Sequence, residues 1–141
     1  MNKLILVIVA IALLTACSKK QDAKPLTPQN ATAKDLAGTW ALVSTADYTT
    51  SNGKTDTTTS TNTQGISFQF KADGTGVESL ITFVVDFTYT VSNGIIFQHE
   101  LATDNSSAQD INFTITAITT TKLVLRIVTT DETQVLSFVK N

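Results

Sequence analysis

Residues 83–99 read Phe83-Val84-Val85-Asp86-Phe87-Thr88-Tyr89-Thr90-Val91-Ser92-Asn93-Gly94-Ile95-Ile96-Phe97-Gln98-His99. Phe83, Val85, Phe87, Tyr89 and Val91 occupy every second position, separated by Val84, Asp86, Thr88 and Thr90. That period predicts a strand with one buried face. Asn93-Gly94 supplies the positive φ angles of a two-residue hairpin turn. A second apolar run, residues 95–99, follows at once, so the stretch predicts an antiparallel strand pair.

The pattern repeats on both sides. Upstream, Trp40, Leu42 and Ser44 alternate with Ala41, Val43 and Thr45. Ile66, Phe68 and Phe70 alternate with Ser67, Gln69 and Lys71, and Val77 to Ile81 is a weaker strand. Downstream, Ile111, Phe113 and Ile115 alternate with Asn112, Thr114 and Thr116. Leu123, Leu125 and Ile127 alternate with Val124, Arg126 and Val128, and residues 134–140 close the chain. Asp73-Gly74 is a second candidate two-residue turn. About eight strands with short links predict an antiparallel meander, because parallel pairing needs long crossovers. Closure into a barrel removes exposed edges and is preferred to a sandwich. The expected fold class is all-β, a small barrel of about eight strands. One short helical turn, residues 32–36, precedes it. Residues 103–110 form one longer loop. Residues 47–64 form another, either a threonine-rich hairpin turning at Asn52-Gly53 or a flexible flap.

The N-terminus is built differently. Lys3 precedes an apolar run from Leu4 to Leu14, 11 residues long, and small residues follow, the layout of a secretory signal. A spanning helix needs roughly 20 apolar residues, so this run is short for a permanent anchor. Leu14-Thr15-Ala16-Cys17 closely resembles the lipobox of bacterial lipoproteins. The resemblance implies diacylglycerol on the Cys17 sulfur, cleavage before it, and acylation of the new amine. One acyl chain holds weakly, whereas two or more anchor stably. Three segments are expected: 1–16 signal peptide, 17–35 lipidated Cys17 and flexible tether, and 36–141 barrel domain. Cys17 is the only cysteine, which excludes a disulfide within one chain. Ser18 after it is compatible with sorting to the outer membrane, within an expected cell-envelope location.

Residues 36–141 hold five basic and ten acidic side chains. A domain of that balance repels phosphate backbones, so no nucleic acid is expected as a partner. The tether carries Lys19, Lys20, Lys24 and Lys34, either a spacer or a contact to anionic headgroups.

Leu36-Ala37-Gly38-Thr39-Trp40, Ile66 to Gly76 and Ile115 to Leu125 together resemble the lipocalin family. More closely, they resemble the small lipocalin-like domain lipoproteins of Bacteroidota, from about Asp35 to the end. The resemblance implies that Trp40 seals the closed end of a barrel under a basic side chain from a late strand. Gly38 matches the glycine of that motif, and Arg126 is the candidate base, by cation–π stacking. It further implies a cavity for a small apolar ligand, with Phe68, Phe70, Phe87, Phe97 and Phe113 as candidate lining residues. An alternating apolar stripe equally describes a filled core. Small inward residues, such as Ala41, Ala117 or Ser137, would leave room.

Catalytic patterns are missing. His99 is the only histidine and has no partner at zinc-protease spacing. There is no Gly-x-Ser-x-Gly elbow, and Asp73-Gly74-Thr75-Gly76 reads as a turn rather than a calcium loop. No enzyme, metal or cofactor is expected. Asp56-Thr57-Thr58 resembles the O-glycosylation triplet of Bacteroidota exported proteins, with Thr57 the acceptor; the alternative is a plain solvated loop. Two functions remain for a monomer held to a membrane through lipid on Cys17. One is a binding module for a small hydrophobic ligand. The other is an envelope protein with a filled barrel that contacts a protein partner through its threonine-rich loop.

Overall fold

The computed structural model describes residues 26–61, 63, 65–103 and 107–141. The signal peptide 1–16, Cys17 and the tether as far as residue 25 lie outside the described residues. A short helix, α1 (Ala33–Leu36), precedes the strands β1 (Gly38–Ser51), β2 (Lys54–Ser60), β3 (Ser67–Phe70), β4 (Thr75–Ser79) and β5 (Val84–Ser92). Then come β6 (Ile95–Glu100), β7 (Gln109–Ile118), β8 (Lys122–Val128) and β9 (Glu132–Lys140). Each strand pairs antiparallel with its neighbour, and β1 also pairs with β9. Eight strands, β1 and β3–β9, thus close into a barrel, and β2 is the additional strand.

The length of β1 makes this possible. Its first residues pair with β3, from Gly38↔Phe70 to Ala41↔Ser67. Beyond them, Thr45–Ser51 pairs with β2 on the same edge. The opposite edge pairs with β9 from Trp40 to Thr49, with a bulge between Leu42 and Ser44. A second bulge separates Ile115 from Ala117 on β7. Bulges bend and twist a strand, as a closed small barrel requires. They also change which residues face inward. Leu42 is buried before the first bulge, and Thr45 lines the interior after it. Residues 47–64 are therefore mostly strand, turning at Asn52 (φ 51°) and Gly53 (φ 74°), the hairpin rather than the flap.

Two local expectations are corrected. The link at Asp73-Gly74 is longer than two residues, running from Phe70 to Thr75. Only Gly74 there has positive φ, and Asp73 Oδ1 accepts from the Thr75 N–H and hydroxyl at 2.9 and 2.8 Å. The tether also ends earlier than residue 35. A 3-10 turn, Pro28–Asn30, leads into α1, whose Thr32 and Asp35 form a capping box. Ala31 is buried, and Leu26 and Ala33 pack on the core. These few apolar contacts order a stretch whose composition reads as linker.

The half of the barrel beside α1 is solid. Phe68 contacts the rings of Phe70, Phe87, Phe113 and Phe138 with centroids 5.2–6.2 Å apart. Phe70 meets Tyr89 edge-on at 5.0 Å. Tyr89 donates to the Lys71 carbonyl at 2.6 Å. Gly76 faces inward beneath Phe87, and a Cβ there would overlap that ring. Trp40 is fully buried and its Nε1 donates to the Leu36 carbonyl at 2.6 Å. The cation over its ring is Lys140, with Nζ 4.9 Å from the centroid, not Arg126. Leu123 and Leu125 point inward on β8, so Arg126 faces solvent between Thr114 and Val135. Lys140 is the direct β9 neighbour of Trp40 and shares its face. Gly38, at φ 134°, leaves the space that the Lys140 stem crosses.

Candidate ligand cavity

At the opposite end the barrel is open, and a cavity of about 420 Å³ lies between its walls. Phe68, Phe113, Phe138 and Leu42 border it toward the packed half, and all four are buried. Val85 and Leu136 line its sides. Leu80, Ile111 and Ile127 are half-buried lining residues, and Phe83, 53% exposed, lies at the rim. Ile81, Val84 and Leu101 add exposed apolar surface in and beside the β4–β5 and β6–β7 links. The volume falls within the range of ligand pockets, about 300–1,000 Å³.

The five candidate phenylalanines separate into three groups. Phe68 and Phe113 line the cavity. Phe70 and Phe87 are buried in the packed half, where they fill rather than line. Phe97 is 42% exposed on the outer face of β6 and is not a lining residue. The reason is register. The Asn93-Gly94 turn pairs Val91 with Ile96 and Thr90 with Phe97, and Thr90 points outward. The inward residues of β6 are Ile96, Gln98 and Glu100, all buried. Ala41, Ala117 and Ser137 alternate with buried neighbours and face outward. Room in the open half therefore comes from the absence of large rings there, not from small inward residues.

One side of the cavity is polar, and the sequence reading missed it. Glu78 of β4, Glu100 of β6 and Gln109 of β7 all line it. Gln98 Nε2 donates to Glu100 Oε1 at 3.2 Å, and Gln109 Nε2 donates to Glu100 Oε2 at 2.5 Å. Burial is the main cause that pushes the Glu78 carboxyl up to about 7, with the charge and hydrogen bond of Glu100 adding to it. Both charged forms are unfavourable together in a desolvated pocket. Across the cavity stand Thr45 and Gln134, the latter donating to Asp47 Oδ1 at 2.8 Å.

Elsewhere the candidate residues are apart from this site. His99 Nδ1 and Asp110 Oδ1 lie 2.6 Å apart on the outer surface. Thr57 is exposed on β2 opposite Tyr48, directly after Asp56 of the Lys54–Asp56 ion pair. Asp73 is an exposed turn residue whose carboxyl is held below its ordinary value by its bonds to Thr75. Among the described residues no group of three or more His, Cys, Asp or Glu side chains is placed to hold a metal ion. No helix among them is long and apolar enough to cross a membrane.

No curated protein matches the chain. Residues 1–18, which include Cys17, match the family described as the prokaryotic membrane lipoprotein lipid attachment site. The chain thus couples a lipid-anchored N-terminus of the cell envelope to an antiparallel β-barrel.

Proposed function

We propose that the protein is a non-enzymatic binding module of the lipocalin-like lipoprotein type, monomeric and held at the outer membrane. Its barrel takes up one small hydrophobic molecule through the open end. The observation that carries this reading is the 420 Å³ cavity, walled largely by apolar side chains and continuous with an apolar rim. An exposed apolar rim beside an apolar pocket marks a binding surface more often than it marks ordinary solvent-facing surface. The packed half supports the reading too, because it provides a rigid floor.

The alternative, a protein partner for the threonine-rich segment, has one observation behind it. β2 pairs only with β1 and all its residues are exposed. Its composition is polar, however, with Lys54 and Asp56 on the strand, which is how edge strands are kept from pairing.

A neutral apolar dye such as Nile red tests the cavity reading on the mature chain from residue 17, carrying Cys17→Ser to avoid detergent. Blue-shifted emission is expected on binding, with at least ten-fold weaker affinity in Thr45→Trp, whose indole would occupy the cavity. No shifted emission, or emission unchanged by Thr45→Trp, would contradict it.

A further inference from the structure

The polar side of the cavity is one-sided in its chemistry. Glu100 is only 7% exposed, and its two oxygens already receive the N–H groups of Gln98 and Gln109. Glu78 lies in hydrogen-bonding contact with the same carboxyl. Gln98 is 2% exposed, points into this cluster, and its Oε1 accepts no hydrogen bond among the described residues. A buried amide oxygen left without a donor costs roughly 1–3 kcal/mol, so native proteins seldom leave one unfilled. The described lining contains no lysine, arginine or histidine. Carboxylates and an orphan carbonyl therefore face this side of the cavity, and the amide groups of Gln98 and Gln109 already donate to Glu100.

The geometry points to a ligand with an apolar body and a protonated nitrogen, an alkyl- or aryl-ammonium whose N–H groups reach Glu78, Glu100 and Gln98. This assignment rests on the cavity reading above and adds the class of ligand to it. At pH 8 a fatty-acid carboxylate would meet the like charges of Glu78 and Glu100, with no lysine, arginine or histidine in the described lining to offset them. A neutral hydrocarbon would bury the carboxyl pair without satisfying it. An ammonium group supplies up to three donors and the compensating charge, while the phenylalanine floor takes the apolar end. Among the described residues, the charged group facing Glu78 is Glu100. Glu100 projects from β6, whereas the flanking cross-strand neighbours are Phe68 of β3 and Val85 of β5. Cation binding favours the ionised form of Glu78, so uptake releases a proton and affinity should rise from pH 5.5 to pH 8.

Calorimetric titration of the Cys17→Ser mature chain with decylamine, decanol and decanoate at pH 8 tests the assignment. Decylamine is expected to bind at least ten-fold tighter than decanol, and decanoate more weakly than either. Glu78→Gln and Glu100→Gln should each lower the ratio of decylamine to decanol affinity at least five-fold. Retained decanol binding also reports that each variant is folded. Glu78→Gln, at the less buried position, decides the matter if Glu100→Gln does not fold. Decanoate binding as tightly as decylamine, or an amine preference that survives Glu78→Gln, would overturn the assignment. If decanol binds without any amine preference, the headgroup assignment falls and the cavity reading stands. If none of the three binds, both fall.

Discussion

Trp40 holds the closed end of the barrel by three contacts: full burial, a 2.6 Å bond from Nε1 to the Leu36 carbonyl, and Lys140 above its ring. Trp40→Ala should lower stability by about 3–5 kcal/mol. Lys140→Met keeps the stem and removes the charge, and should cost at most ~1 kcal/mol. Urea unfolding measures both, and a loss under ~1 kcal/mol for Trp40→Ala would contradict the packing. Glu78 makes a pH prediction. Its carboxyl is raised from 4.5 to about 7 in the fold, so between those values the folded state keeps a proton that the unfolded chain has released. Stability therefore falls as pH rises through that window. Allowing for partial solvent screening, the loss is on the order of 1–2 kcal/mol. Glu78→Gln should remove most of the difference between unfolding at pH 5 and pH 8; an unchanged difference would place its cause elsewhere. At this scale the sequence was only half legible. Of the five candidate phenylalanines, Phe68, Phe70, Phe87 and Phe113 are buried and Phe97 is exposed. The Asn93-Gly94 register contained the parity of β6, and following it from Val91 places Gln98 and Glu100 inside and Phe97 outside. Hydrophobicity alone assigned the opposite face.

Among the elements, β2 differs from the other strands. It has one neighbour, no buried residue and a polar sequence. Such a strand opens locally, without unfolding the barrel. In hydrogen exchange, amides of Lys54–Ser60 should exchange at least a hundred-fold faster than those of β5 and β6. Equal protection would mean that β2 is held by contacts beyond β1. The Asn-Gly turns were readable because two positive φ angles in succession suit few other residue pairs. The ordered 26–36 stretch was not readable. Its apolar residues are few, and what they touch, including the core around the Gly94 turn, lies far along the chain. The same holds for the choice of Lys140 over Arg126. Both are basic residues on late strands, and only the β1–β9 register selects between them.

For the whole molecule, closure follows from one long-range pairing. β1 pairs with β9, setting Trp40 opposite Lys140, and no local signal announces it. Alternation and short links implied a meander, and the cost of free edges argued for a barrel. The two bulges that let eight strands close were not visible in the pattern. Nor was the division of the interior, because a phenylalanine stripe has the same period whether it fills or lines. The structure separates the roles by height: rings from five strands fill the end beside α1, and the other end stays open. The lipid attachment site at residues 1–18 keeps that barrel near a membrane, where apolar molecules partition.

Native mass spectrometry of the lipidated protein, purified from its own cell envelope, addresses the central claim most directly. The account predicts a reproducible extra mass of one small molecule, lost on denaturation and recovered in an organic extract as an apolar compound. A mass corresponding to the lipidated chain alone, unchanged after incubation with apolar amines, alcohols and acids, would contradict it.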